Sequence, residues 1–336
     1  MAVPFRWERL TTERPNRASR HLDRLSPLAI ARLMHREDRR AVLAVRRVLP
    51  RIAAAVELIV TSLRGGGRLF FAGAGTSGRL GVLEAAECPP TFGTPPRLVQ
   101  AIIAGGRPAV FRSREGAEDD RAAAARAVRQ RVRRGDVVVG VSASGVTPFV
   151  RSALAAARRA GARTVLVACN PAAGSSPRAR PGKRALEREP LVIAPRPGPE
   201  VLAGSTRLKA GTATKLVLNT LTTASMARLG KVYGNRMVDL LPRSTKLRAR
   251  ALGLVAELAG VSRPRARRVL AESGGNVRVA IVIARTGLSA AAASRALRAA
   301  GGSLRDALEA SRRRRRGQVW EGPAVSSART GVRPRR

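Results

Sequence analysis

The sequence predicts a doubly wound α/β domain built on a mostly parallel sheet, with helices before it and a small all-helical region after it. Three observations carry this. Between residues 68 and 194, short apolar runs alternate with helical segments, the order of parallel strands joined by crossover helices. The runs are apolar throughout rather than at every second residue, as in strands buried on both faces. Two of them end in turns rich in glycine and hydroxyl side chains, Gly73-Ala-Gly-Thr-Ser-Gly78 and Ser142-Ala-Ser-Gly-Val-Thr147. Such a sheet binds its ligands there, at the carboxyl ends of its strands.

Residues before Leu25 carry few long-range cues. Ser26 begins a helical region containing His35-Arg-Glu-Asp38, followed by one long apolar-periodic stretch from Ala41 to Leu63. Glycines 65 to 67 stop it. The candidate strands are Arg68–Ala72, Leu98–Ala104, Val137–Ser142, Thr164–Cys169 and a weaker Leu191–Ala194. Residues 172–190, rich in Pro, Ser, Gly and Arg, read as a loop. A helix is expected from Thr206 to Leu229, and everything beyond Ser244 reads as helical. That last region holds a weak repeat, with Arg268–Ala280 aligning with Arg295–Ala307 around paired glycines. Two copies suit a small cap and are too few for a solenoid. The expected organisation is an N-terminal segment with helices at 1–64, a sheet domain at 65–243, a helical domain at 244–311 and a basic disordered tail at 312–336.

Composition narrows the class. The 336 residues suffice for a substantial core, and 44% of them are hydrophobic although only 3% are aromatic. No apolar run approaches the ~18–20 residues of a membrane span. The first residues lack the apolar segment of a secretory signal. Cys88 and Cys169 stand without metal-ligand spacing, so reduced thiols in a cytoplasm are expected. Sixty-four Lys and Arg against 22 Asp and Glu give a formal charge of +42. The arginines are spread along predicted solvent faces, and aromatic stacking residues are scarce. A solvated basic surface therefore outranks a dedicated nucleic-acid site, with nonspecific polyanion binding expected from the charge.

The segment Gly73–Pro90 reads as a phosphate cradle with an acid attached. Glycine allows close backbone approach, and a helix N-terminus offers N–H groups to an anion. Thr76 and Ser77 add hydroxyls, and Glu87 supplies a carboxylate further on. Ser142, Ser144 and Thr147 form a second hydroxyl cluster. Helix capping is the commonest role of such residues. Two such loops on one sheet shift the balance towards a ligand, because both face the same crevice.

Gly73-Ala-Gly-Thr-Ser-Gly-Arg-Leu-Gly81 and Ala86-Glu-Cys-Pro-Pro-Thr-Phe-Gly93 resemble signatures of the N-acetylmuramic acid 6-phosphate etherases. Glu115-Gly-Ala-Glu-Asp-Asp120, Gly198-Pro-Glu-Val-Leu202 and Gly204-Ser-Thr-Arg-Leu-Lys-Ala-Gly-Thr-Ala213 match as well. So do Lys215-Leu-Val-Leu-Asn219 and Gly230-Lys-Val-Tyr-Gly-Asn235. The resemblance runs in order from about Thr12 to Leu308. It implies a sugar isomerase (SIS) domain, a cytoplasmic homodimer, and a lyase of amino-sugar recycling. The reaction implied is cleavage of N-acetylmuramate 6-phosphate to N-acetylglucosamine 6-phosphate and D-lactate, with no metal and no redox cofactor. Carried over residue by residue, Glu87 is the acid that protonates departing lactate and Glu118 the base at C2. Thr76, Ser77, Ser142, Ser144 and Thr147 are the phosphate and sugar contacts, and Glu200, Ser205 and Lys209 line the site. Lys209 pairs either with phosphate or with Glu200, and Asn170 reads as a turn residue rather than a ligand contact. Without the resemblance, Glu118 would read as a first-turn acid favoured by a helix dipole.

The chain departs from the family pattern at Val146, where an arginine is usual, at Glu84, usually aspartate, and at Ala203, usually threonine. Ser244-Thr-Lys-Leu247 lacks the usual acidic residue, and the 172–190 loop is longer and more basic. A phosphosugar isomerase would share the domain and the deprotonation at C2, but not Ala86-Glu-Cys-Pro-Pro90. A non-catalytic phosphosugar sensor would not need both Glu87 and Glu118. A phosphosugar-responsive DNA binder would need a helix-turn-helix, which the residues ahead of the sheet do not present.

Overall fold

The computed structural model describes residues 10–170, 189–240 and 245–315. The expected loop at 172–190 and the tail from residue 316 lie almost wholly outside them. The chain forms two compact units, Met1–Lys231 and Val232–Arg336.

In the first unit, Ser26 caps α1 (Pro27–Arg46), its Oγ accepting from the Ala29 N–H. The apolar stretch expected as one helix is broken, and α2 (Leu49–Arg64) starts afresh. Pro50 is the reason. It has no N–H for the Arg46 carbonyl and its ring clashes there, yet it suits a helix's first turn. Then follow β1 (Leu69–Gly73), α3 (Gly75–Phe92), β2 (Val99–Ile103), the single turn α4 (Pro108–Phe111), α5 (Arg121–Arg131), β3 (Val137–Val141), α6 (Pro148–Arg159), β4 (Arg163–Val167), β5 (Leu191–Ile193) and α7 (Lys209–Arg228).

The five strands are all parallel, in the order β2-β1-β3-β4-β5. This is the predicted doubly wound sheet. Phe70 and Phe71, both 0–1% exposed, point to opposite faces because side chains alternate along a strand. Phe70 joins Val128 of α5 and Phe149, Val150 and Leu154 of α6 in one core. Phe71 faces α3, where a Cβ on Gly81 would come within 2.7 Å of the phenylalanine's own Cβ. A Cβ on Gly78 would come equally close to the Gly73 carbonyl oxygen. The glycines thus let α3 lie directly on the strand it follows. At the opposite end of the sheet, Asp136 accepts from the guanidinium and backbone N–H of Arg68, tying β3 to β1.

The described residues of the second unit form a small antiparallel pair, β6 (Val232–Tyr233) and β7 (Arg236–Met237), and five helices. These are α8 (Thr245–Ala259), α9 (Arg263–Glu272), α10 (Val277–Thr286), α11 (Ala290–Ala299) and α12 (Leu304–Arg315). Val238 and Leu240 belong to its core, with Val255, Val269 and Ile281. The repeat is one of shape. Gly274 and Gly275 end α9, and Gly301 and Gly302 follow α11, all four with φ between 60° and 84°. Asn276 and Ser303 then accept from the N–H three residues on, opening the next helix. Helix α12 carries the chain through Arg312 to Arg315, where the sequence suggested tail.

Candidate active site

In a sheet of order β2-β1-β3, the chain leaves β1 towards opposite edges, so the crevice between β1 and β3 is the topological switch point. Gly73 pairs in register with Val141, so the two hydroxyl loops emerge side by side at that crevice. After β1, Gly75 takes φ +52° and α3 begins at once. Its N-cap, Ala74, offers no side-chain acceptor, so the first-turn N–H groups point where an anion would sit. Thr76 and Ser77 lie half-buried in that turn. Arg79 donates to the Val110 carbonyl at 2.8 Å, drawing the segment after β2 onto the same helix.

After β3, Ser142, Ser144 and Thr147 come together. Ser142 Oγ lies 2.7 Å from Thr147 Oγ1 and 3.1 Å from Ser144 Oγ. The N–H groups of Gly145 and Val146 donate back to Ser142 and Ser144 at 3.0 and 3.2 Å. The N-cap side chain of α6, Thr147, bonds its fellow hydroxyls rather than the helix, so this is not simple capping. Helix α7 also begins here, since a Cβ on Gly211 would lie 3.9 Å from Thr76 Cγ2.

Glu87 and Glu118 are both exposed. Glu87 lies in the C-terminal half of α3, which continues through Pro89 and Pro90 before Gly93 ends it. Glu118 lies in a 3-10 turn, Ala117–Asp119, ahead of α5. It is not a first-turn acid of that helix. Asp120 caps α5 instead, accepting from Ala123 N–H at 2.7 Å. A cavity of about 750 Å³ opens beside this turn, lined by Ile103, Arg114, Glu115, Asp120 and Phe149 among others.

The remaining predicted residues are engaged inside the protein. Glu200 is fully buried and accepts from the backbone N–H groups of Lys209 and Ala210, both at 2.9 Å. It therefore caps α7. Burial raises its pKa against the pull of those N–H groups and of the Lys209 charge. The Lys209 ammonium, 1% exposed, pairs at 2.6 Å with Glu37 on α1, while Glu200 takes the Lys209 backbone N–H. Burial works to raise the Glu37 pKa. Hydrogen bonds from Lys209 and Asn16 and the charges of Lys209 and Arg40 outweigh it and leave the pKa low. Ser205 sits half-buried in the turn before α7, its carbonyl accepting from Leu208 N–H. Glu84, the departure on α3, is buried between Lys215 at 2.5 Å and Thr222 at 2.6 Å of α7. The Val146 side chain, half-buried, brings no cation to the loop.

Asn170 is more than a turn residue. Its side chain, 2% exposed, bonds Thr11, Thr12 and the Ala143 carbonyl. Sequence reasoning gave Asn16 and Glu37 no role and read Asn170 only as a turn residue. Glu37 did leave a signal. It falls in register with Leu33, Ala41 and Ala44 on the buried stripe of α1, a carboxylate at a core position.

The cysteines are buried thiols. Cys88 is pushed up to about 12 by burial and by the charges of Glu84 and Glu87. Cys169 is pushed up to about 12 by burial and by Glu200, against a hydrogen bond with Thr214. Among the described residues, no cluster of three or more His, Cys, Asp or Glu is placed to hold a metal, and no single helix is long and apolar enough to cross a membrane.

Comparison with known proteins gives the same outline. Residues 51–158 match the family of the glucokinase regulatory protein N-terminal SIS domain. The chain is 52% identical over 274 residues to an N-acetylmuramic acid 6-phosphate etherase of Symbiobacterium thermophilum, covering 82% of this chain and 88% of that one. It is 52% identical over 275 residues to an N-acetylmuramic acid 6-phosphate etherase of Gloeobacter violaceus, covering 82% and 87%. Among solved structures, it is similar to a phosphoheptose isomerase of Neisseria gonorrhoeae, at 19% identity and TM-score 0.41 over 59% of this chain and 97% of that one.

Proposed function

The chain belongs to the N-acetylmuramic acid 6-phosphate etherase family, and from that premise we propose how its residues divide the work of cleaving the substrate's D-lactyl ether. The enzyme is a carbon–oxygen lyase that converts N-acetylmuramate 6-phosphate and water to N-acetylglucosamine 6-phosphate and D-lactate. The observation that carries the assignment of its site is the pair of hydroxyl loops side by side at the switch point of the sheet.

In our reading the phosphate lies between these loops, held by the first-turn N–H groups of α3 and by Thr76, Ser77, Ser142, Ser144 and Thr147. The sugar reacts in its open-chain form, in which the C1 aldehyde acidifies the C2 proton. The Glu118 carboxylate takes that proton. The C2 electron pair forms a C2–C3 double bond, the C3–O bond breaks, and its electrons leave on the lactyl oxygen, which takes a proton from Glu87. Water then adds in reverse. Its oxygen bonds to C3 while Glu87 recovers a proton and Glu118 returns one to C2. Each carboxyl contributes ~10²–10⁴ to the rate by such positioned proton transfer. Both stand exposed, where a substrate can reach them, whereas Glu84 and Glu200 are committed to α7. Lys209 and Glu200 line the site indirectly, by fixing the first turn of α7, and Ser205 lies in the turn that leads into it.

The same reading makes the enzyme a cytoplasmic homodimer. Leu28, Val42, Leu43 and Leu49 on α1 and α2 are 49–59% exposed and Phe111 is 89% exposed, large apolar side chains that a second copy would cover. The net positive charge, by our reading, adds nonspecific polyanion binding that salt weakens.

The test is incubation with N-acetylmuramate 6-phosphate in H₂¹⁸O. The expected result is D-lactate and a sugar product carrying ¹⁸O. Sugar-phosphate binding without lactate release would overturn the assignment.

A further inference from the structure

We propose that Asn170 is a positioning residue for the hydroxyl loop after β3, and that residues 11–16 form with it a polar strap that sets the shape of the phosphate site. The inference rests on the phosphate reading of that loop.

Ser142, Ser144 and Thr147 bond mainly one another, so their placement depends on the backbone between them. That backbone is held at its start, where Ser142 N–H donates to the Val167 carbonyl at 3.0 Å, and then at one carbonyl of its own. Ala143 oxygen accepts from the Asn170 amide at 3.0 Å and from Cys169 N–H at 2.9 Å. The other three bonding positions of the amide face the N-terminal segment. Asn170 Oδ1 accepts from the N–H and the hydroxyl of Thr11, both at 2.8 Å, and its second N–H donates to Thr12 Oγ1 at 3.3 Å. Two donors and two lone pairs are the whole capacity of an amide. With all four in use, Asn170 has nothing left for a ligand and acts through Ala143.

The far end of the segment is tied just as firmly. Asn16 donates to Glu37 at 2.8 Å and to the Pro199 carbonyl at 3.2 Å, and Gly204 N–H donates to Thr12 oxygen at 3.0 Å. Thr12, Asn16, Glu37 and Asn170 are all at most 8% exposed. Buried polar bonds of this kind are stiff, because each bond lost strands a partner away from water. The segment lies in no helix or strand between Leu10 and Asn16, so these polar bonds do the holding.

The experiment compares Asn170→Asp and Thr11→Val with the wild type, measuring kcat and KM for N-acetylmuramate 6-phosphate and the Kd of inorganic phosphate. Asn170→Asp keeps the shape and the bonds from Thr11 but sets an acceptor against the Ala143 carbonyl. We expect KM and phosphate Kd to rise together by about tenfold with kcat within about twofold. Thr11→Val removes one bond of the four, and both constants should rise about threefold. Unchanged constants in Asn170→Asp, or a fall in kcat at constant KM, would overturn the proposal. Should Asn170→Asp fail to fold, Thr11→Val decides by the same two constants. Wild-type lactate release reports separately on the etherase reading, since the phosphate measurement stands without it.

Discussion

The glutamates of the α/β unit fall into two groups that sequence alone does not separate. Glu87 and Glu118 are exposed. Glu37, Glu84 and Glu200 are at most 4% exposed, and each is bound at 2.9 Å or less by a lysine, a hydroxyl or a backbone N–H. A carboxyl that trades protons with a substrate must reach it and must tolerate both charge states. One that neutralises a buried lysine tolerates only one, because protonating it strands the cation. The difference teaches that engagement, rather than acidity or position in a motif, sorts the acids that hold the fold from those free for chemistry.

The largest effects should come from the exposed pair. Glu118→Gln and Glu87→Gln should each lower kcat for lactate release by about 10²–10⁴ and leave the thermal midpoint unmoved. A fall in midpoint without loss of activity would place them with the buried group. Next comes Lys209→Met, which takes away the buried cation of Glu37, leaving it only the largely exposed Arg40 at 3.3 Å, and should cost about 3–5 kcal/mol in urea unfolding. Adding Glu37→Gln to it should restore most of that loss, and a double variant as weak as the single would show that the pair is not what matters. Glu200→Ala removes the acceptor for two N–H groups of α7 and should cost about 1–2 kcal/mol by the same measurement.

The smallest effect is a pH dependence. Glu37 has a folded pKa below its ordinary 4.5. Its stabilising contribution is therefore complete above pH 4.5 and is lost as pH falls through the lowered value. Unfolding of Glu37→Gln, measured across that range, should converge on the wild type as pH drops. A gap that widened in acid would reverse the sign of the argument.

The sheet was legible because buried parallel strands advertise themselves as unbroken apolar runs. The loops were legible because close packing at Gly73, Gly78 and Gly81 admits no side chain. Three features were not. The break between α1 and α2 hid behind an apolar periodicity that runs across Pro50. Asn170 resembled a turn residue because Cys-Asn-Pro gives no sign of Thr11, 159 positions away. Lys209 was read against phosphate or against Glu200, nine positions back, when its partner is Glu37, 172 positions off.

By itself, then, the sequence determined the alternation of strands and helices in the sheet, the two hydroxyl loops and the family, since each is written in local pattern or in motifs of short span. Only the tertiary structure decided which acids are spent on the fold and which are free. A carboxylate's behaviour follows from its partners and its access to water, and both are supplied by chain segments far from it in sequence.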